Sequence, residues 1–267
     1  MMLASWPHRF VLLVVLACTC ATVRAAVPPA LLTAVNHLRE QRSYSWEIIN
    51  ADPGPVQVTY ETRRGSVTMV QQNNAPHVLG SRTSNGDMLL QRDWPDGVRL
   101  DTLVANDGQM VTFTPEGWMT NQEVLTAMAE ERMKDGAPST RYQWLRRADR
   151  PDTRRPDEEL AAAVGAAKEF SVDGDSYSAR IRVGGEGDPE ATSRTAFEVT
   201  LVVNVRNGVV RDYQLKVEGS RSLARPGIKV PLSDDRFVIL TYLPVRKLDV
   251  PDEAWSKLKE TKSAGRR

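Results

Sequence analysis

Five dipeptides that join asparagine or aspartate to glycine constrain the fold of this chain more than any other feature. They are Asn85-Gly86, Asp96-Gly97, Asp107-Gly108, Asp173-Gly174 and Asn207-Gly208. Such pairs supply the positive φ angles that tight hairpin turns require. Apolar and polar residues alternate in the flanking stretches, which is typical of strands with one packed face. The sequence therefore predicts antiparallel strands joined by hairpins.

The clearest hairpin surrounds Asn207-Gly208. Apolar residues alternate with polar ones from Phe197 to Val205, and the alternation resumes from Val209 to Val217. The apolar positions hold mostly β-branched, aromatic and leucine side chains, which pack well on a pleated surface. We predict two long antiparallel strands here.

Three stretches have the period and the start signals of helices. The first begins at Pro28-Pro29 and ends near Gln41 or Arg42, the second follows a capping box at 120–123 and ends near Lys134, and the third begins at Pro156. The predicted fold class is α+β. We expect a curved antiparallel sheet, an unclosed β-barrel, covered by about three helices.

The first 25 residues have the composition of a signal peptide. A short apolar run follows Arg9, and Val23-Arg24-Ala25 has the small residues that a signal peptidase accepts. We expect cleavage after Ala25 and a periplasmic or secreted protein. In the alternative interpretation, Cys18 belongs to a lipobox and is acylated, which gives an anchored lipoprotein. Since Cys20 also lies in the leader, cleavage after Ala25 leaves no thiol and no disulfide.

The remaining chain is predicted to form a single domain over residues 26–256. No repeat or long linker interrupts it. Residues 257–267 lack apolar side chains after Leu258, and we expect a disordered basic tail there.

The net charge disfavours one class of partner. Without Arg9 and Arg24, 33 basic residues face 34 acidic ones. A nucleic-acid-binding protein needs a strongly basic face, so we expect no nucleic-acid partner. We expect a monomer, with peripheral membrane contact as an open alternative.

The sequence contains no catalytic signature. Neither His37 nor His77 has a partner at the spacing of metal ligands, and no nucleophile elbow or phosphate-binding loop is present. Carboxylates on the predicted strands lie mostly opposite the large apolar residues, as on a solvated face. We therefore predict no catalytic residue, no metal site, no cofactor and no enzymatic activity.

Arginines are concentrated between the second and third predicted helices, in residues 135–155. Arg146 and Arg147 could bind an anionic group such as a lipid head group. In the structural interpretation, the stretch is a solvated linker whose aspartates and glutamates offset much of its charge.

Large side chains on the packed face are the remaining candidate site. They form the core, or they line an apolar pocket that the helices leave unfilled. The candidate lining residues are Trp46, Ile48, Val58, Tyr60, Trp94, Phe113, Trp118 and Trp144.

The order of the elements supports a resemblance to a known group. After the leader come a helix with Leu31-Leu32-Thr33-Ala34-Val35, a strand with Tyr44-Ser45-Trp46-Glu47-Ile48, the stretch Glu116-Gly117-Trp118 before the capped helix, and Leu248-Asp249-Val250-Pro251-Asp252 after the late hairpin. This layout resembles uncharacterised secreted bacterial proteins and, through them, the periplasmic lipoprotein-carrier (LolA-like) superfamily. The resemblance implies an unclosed barrel with a helical lid around an apolar cavity, and at most a hydrophobic-ligand binder.

Two functions of different classes follow as hypotheses. In the first, a non-enzymatic protein of the periplasm or cell envelope binds a lipid or another hydrophobic ligand in the concave face of the sheet. In the second, an envelope scaffold with a filled core meets a protein partner through an exposed apolar patch.

Overall fold

A computed structural model describes residues 27–51, 56–62, 65–71, 75–133, 139–149, 151–183, 195–222 and 229–264. Within these ranges, side chains are described for 27–51, 75–133, 139–149, 151–183, 197–219 and 233–260. The predicted signal peptide and the alternative anchor at Cys18 lie outside the described residues.

Helices and strands are both abundant, so the α+β class is confirmed. The described helices are α1 (Pro29–Glu40), α2 (Asn121–Arg132), α3 (Thr140–Ala148), α4 (Pro156–Ala166) and α5 (Asp252–Ala264). The described strands are β1 (Tyr44–Asn50), β2 (Val56–Thr62), β3 (Gly65–Gln71), β4 (His77–Arg82), β5 (Met88–Asp93), β6 (Arg99–Val104), β7 (Met110–Thr114), β8 (Gly117–Thr120), β9 (Ser171–Asp173), β10 (Ser176–Val183), β11 (Thr195–Arg206), β12 (Val209–Ser222) and β13 (Lys229–Thr241).

Eleven of these strands form one antiparallel sheet, in the order β8-β7-β6-β5-β4-β1-β13-β12-β11-β10-β9. The sheet is not closed into a barrel, because β8 and β9 stand at the two ends of this order. Strands β2 and β3 form a separate antiparallel pair.

The predicted hairpin turns are all present. Each of the five glycines in these predicted turns has a positive φ, and each of the five dipeptides joins two antiparallel neighbours. At the longest hairpin, Asn207 and Gly208 have φ angles of 53° and 75°, which a two-residue turn of type I′ requires. Strands β11 and β12 pair from Thr195 opposite Arg221 to Arg206 opposite Val209. The antiparallel prediction is confirmed.

The chain divides into two compact units by its contacts. The first unit comprises residues 1–40, 49–75 and 155–239, and the second comprises 41–48, 76–154 and 240–267. Each unit combines three separated stretches, so no linker in the sequence marks the boundary. The single domain over residues 26–256 stays a prediction.

In the first unit, α1 and α4 accompany the long hairpin. Leu31, Ala34, Val35 and Leu38 of α1 are buried, at the i, i+3, i+4 and i+7 spacing of one helix face. Glu159 of α4 is also buried, where it accepts a hydrogen bond from Tyr213 Oη on β12 (2.8 Å) and pairs with Arg236 on β13.

In the second unit, helices pack against both faces of the strands. Residues opposite each other in an antiparallel pair share a face, so Leu89, Leu103 and Val111 lie on one side. There they form a core with Ala254 and Leu258 of α5. On the other side, Leu100 forms a second core with residues of α2 and α3.

Two predictions about the less apolar stretches are corrected. Residues 135–155, predicted as a linker, contain α3, which Ser139 caps by accepting a hydrogen bond from Tyr142 N (3.0 Å). Residues 257–264, predicted as a disordered tail, continue α5, where Leu258 is buried and Lys257 Nζ donates to Glu123 Oε1 (2.7 Å). Helix α5 begins only at Asp252, so Leu258 belongs to a helical face that the sequence analysis did not recognise.

Candidate functional site

Trp46 and Ile48 lie on β1 and point to the side of the strands that faces α2 and α3. The Trp46 indole is 3% exposed, and its ring centroid lies 5.4 Å from that of Tyr44. Gly80 stands opposite it on β4 and leaves room for the indole. Ile48 is half-buried. These two residues belong to packed structure.

Trp94 and Trp144 belong to the core beneath α2 and α3. Trp144 of α3 is buried together with Leu100 and Leu145, and Trp94 packs at the edge of the same cluster. The guanidinium carbons of Arg92 and Arg147 lie 5.5 Å and 5.2 Å from Trp94, within cation–π distance. Both tryptophans are therefore occupied by protein contacts.

Phe113 and Trp118 lie on the opposite side of the strands. Trp118 is buried in the α5 core, and its ring is 5.5 Å from that of Phe113, which is 44% exposed. Val58 and Tyr60 lie on β2, where the side chains are outside the described residues. The structure thus divides the described members of this set between two faces of the strands.

The physical reason is that helices pack against both faces of the strands in the second unit. A curved sheet with one open side would leave its large residues facing a shared space. Here the residues of β5 to β7 alternate between two separate cores, each with its own helices. Trp118 and Trp144 therefore pack in different clusters of protein side chains in this unit.

Arg147, one of the two predicted anion contacts, has a structural role. Its guanidinium donates to both carboxylate oxygens of Asp96, at 2.8 Å and 2.6 Å. These bonds lower the pKa of Asp96 below its ordinary value, against an opposing effect of burial. Arg146 is exposed and its guanidinium carbon lies 6.0 Å from the Tyr142 ring. Arg147 is therefore paired within the protein, and the anion contact at Arg146 stays a prediction.

A groove on the surface of the second unit has the size of a ligand site. It encloses about 480 Å³ beside the outer face of α2 and is lined by Leu125, Met128, Ala129, Arg132, Met133 and Asp149. Ligand sites usually measure about 300–1,000 Å³. Met133, at the rim, is 86% exposed.

The capped first turn of α2 and the packing of its buried face position the groove. Thr120 Oγ1 accepts from Glu123 N (3.2 Å) and Glu123 Oε2 accepts from Thr120 N (2.8 Å), which completes the predicted capping box. Hydrogen bonds from Lys257 and Thr120 outweigh burial and lower the pKa of Glu123. Opposite the groove, Val124 and Ala127 enter the core.

The sequence analysis did not identify the groove, although a signal was present. Leu125, Ala129 and Met133 recur at i, i+4 and i+8 beside the buried face of the helix, and the buried Met128 lies at the border between the two. A smaller hollow of about 160 Å³ lies in the first unit between α1 and α4, lined in part by Leu32, Val164 and Arg39.

The titratable residues suggest no metal centre. Among the described residues, no group of three or more histidine, cysteine, aspartate or glutamate side chains could hold a metal ion. His77 Nε2 lies 2.8 Å from Glu47 Oε1 on the partly exposed face of β4 and β1. None of the described helices is both long and apolar enough to cross a membrane.

Comparison with known proteins adds no assignment. No family model matches the chain, and no curated protein sequence matches it.

Proposed function

We propose that this chain is an exported, non-enzymatic protein of the cell envelope that binds a lipid or another hydrophobic ligand. The observation that supports the proposal is the groove of about 480 Å³ along α2. This groove lies along a helix, whereas the sequence analysis proposed a pocket in the concave face of the sheet.

The composition of the groove suits an apolar ligand of variable shape. Leucine and alanine contribute apolar surface, and the exposed Met133 contributes a flexible, polarisable side chain that adapts to irregular partners. An apolar stripe on a solvated helix costs free energy unless a ligand or partner covers it.

The experiment fills the groove without disturbing the core. Ala129→Trp places an indole in the groove from an exposed position, and Glu130→Trp is the control at another exposed position of the same helix, whose side chain does not line the groove. We expect native mass spectrometry of the intact exported protein to detect a co-purifying hydrophobic molecule in the wild type and in the control. The Ala129→Trp variant should lose it.

Two outcomes contradict the proposal. One is a wild-type protein that carries no hydrophobic molecule and binds neither decanoate nor decanol in calorimetric titrations. The other is equal occupancy in both tryptophan variants, which would place the ligand elsewhere.

A second candidate function, an interaction domain, is supported by an exposed row on the α5 side of the strands. Leu79 and Phe113 are 41% and 44% exposed. They stand in one cross-strand row with Gln91 and Asp101. In protein interfaces, aromatic and other apolar side chains are typically bordered by a polar rim.

A photo-crosslinking residue at position 113 tests this second function. It should give a discrete adduct in the cell envelope of the source organism, whereas the same residue at position 122 should not. Identical adduct patterns at both positions would exclude a specific interface in this row.

A further inference from the structure

Arg132 places a positive charge at the apolar groove along α2. It lines the groove together with Leu125 and Met128. Its Nε donates a hydrogen bond to Tyr142 Oη (3.1 Å), and its guanidinium carbon lies 5.8 Å from the Tyr142 ring. Tyr142 thus holds the guanidinium in place beside the apolar stripe.

We infer that the groove binds a single-chain lipid with an anionic head group, the acyl chain along the apolar stripe of α2 and the carboxylate or phosphate on Arg132. This inference rests on the function proposed above and adds the chemical class of the ligand. Its basis is the combination of an apolar lining with one oriented guanidinium in a single groove.

The guanidinium has the donors that an anionic head group needs. Since Nε donates to Tyr142, Nη1 and Nη2 are the remaining donors of this guanidinium, and within the described ranges no carboxylate forms an ion pair with Arg132. Two parallel N–H donors match the geometry of a carboxylate or phosphate. Arg146 approaches the same tyrosine ring and adds positive charge nearby.

Asp149 is the opposing charge at this site. It follows α3 and lines the groove with Arg132. A carboxylate there repels an anionic head group and therefore limits its affinity. Its removal should strengthen binding of an anionic ligand and leave a neutral ligand unaffected.

The size of the groove favours a single lipid molecule over a bilayer surface. A space of about 480 Å³ accommodates one ligand of ordinary size. Binding to a bilayer would instead require a broad basic or apolar surface, and in this region Arg147 is already paired with Asp96.

The test compares decanoate with decanol, which share one chain and differ in charge. Calorimetric titrations use the full exported protein after lipid removal, as wild type, Arg132→Gln and Asp149→Asn, with Arg180→Gln as the control at an exposed arginine of the first unit. We expect decanoate to bind more tightly than decanol. Arg132→Gln should weaken decanoate binding about tenfold or more, the effect of losing a charge-assisted hydrogen bond.

Asp149→Asn should tighten decanoate binding, and Arg180→Gln should change neither ligand. If decanol binds as well as decanoate and Arg132→Gln has no effect, the inference fails while the proposed function stands. If neither ligand binds, the proposed function fails as well. If the protein floats with anionic vesicles but does not bind decanoate, its partner is a membrane surface and the inference is overturned.

Discussion

Gly80→Ala is the sharpest test of how the second unit packs. Trp46 on β1 lies directly over Gly80 on β4, its partner in the strand register. A Cβ atom added to residue 80 would lie 2.0 Å from Trp46 Cε2, 2.3 Å from Cζ2 and 2.5 Å from Nε1. Non-bonded carbon atoms prefer about 3.5–4.0 Å, so the indole or the strands must move by about 1.5 Å.

The expected cost follows from that displacement. Overpacking a well-filled core costs about 1–3 kcal/mol, and expelling a buried aromatic ring costs about 3–5 kcal/mol. Because alanine restricts the unfolded chain more than glycine does, the substitution also adds about 0.5–1 kcal/mol to the free energy of unfolding, which offsets part of the cost. We therefore expect Gly80→Ala to lower the free energy of unfolding by about 2–4 kcal/mol.

Urea unfolding followed by far-ultraviolet circular dichroism measures this change. The control is Gly165→Ala in α4, where an added Cβ has nothing within 4 Å. That variant should be more stable than the wild type by about 0.5–1 kcal/mol, since alanine favours a helix. In a Trp46→Leu background, Gly80→Ala should lose most of its cost, because the clashing ring is absent.

One result would refute the reasoning about Trp46. If Gly80→Ala is as stable as the wild type while Gly165→Ala behaves as expected, the indole does not occupy the space above residue 80. The assignment of Trp46 to packed structure would then fail, and this position would again be open to a ligand.

Three further predictions concern ion pairs and caps. Glu159→Ala should lower the free energy of unfolding by about 3–5 kcal/mol in chemical denaturation, because it removes the carboxylate that pairs with Arg236. The double variant Glu159→Leu, Arg236→Met should recover most of this lost stability, because it replaces both charges by apolar side chains. Thr120→Ala should cost about 0.5–2 kcal/mol in the same assay, as expected for loss of an N-cap; an unchanged midpoint would contradict the capping role. The pKa of Asp96 is lowered from 3.8 in the folded state, so its stabilisation is present above that value and is lost as the pH falls through the folded pKa. The stability difference between the wild type and Asp96→Asn should consequently shrink below about pH 4, and a difference independent of pH would contradict the pairing with Arg147.

The elements that local chemistry specifies could be predicted from the sequence. The hairpin at Asn207-Gly208 was recognisable because positive φ angles require particular residues at two adjacent positions. The capping box at 120–123 was recognisable for the same reason, since two side chains satisfy two backbone donors within four residues.

Elements whose apolar side chains are sparse were missed. Helix α3 carries several arginines, and only Trp144, Leu145 and Ala148 enter the core. In α5 the inward residues are Ala254 and Leu258 amid lysines and glutamates. These short helices gain their stability from tertiary packing, and the local sequence pattern does not predict that packing.

The sequence by itself determined which residues alternate along each strand, where the chain turns and where its best helices begin, because these properties depend on near neighbours. Only the tertiary structure decided that helices cover both sides of the strands in the second unit, so that Trp46 and Trp118 belong to different faces. Alternation separates two sides of a strand but does not reveal which distant segment will pack against either. For the same reason, an apolar stripe on α2 remained at the surface as the candidate ligand groove.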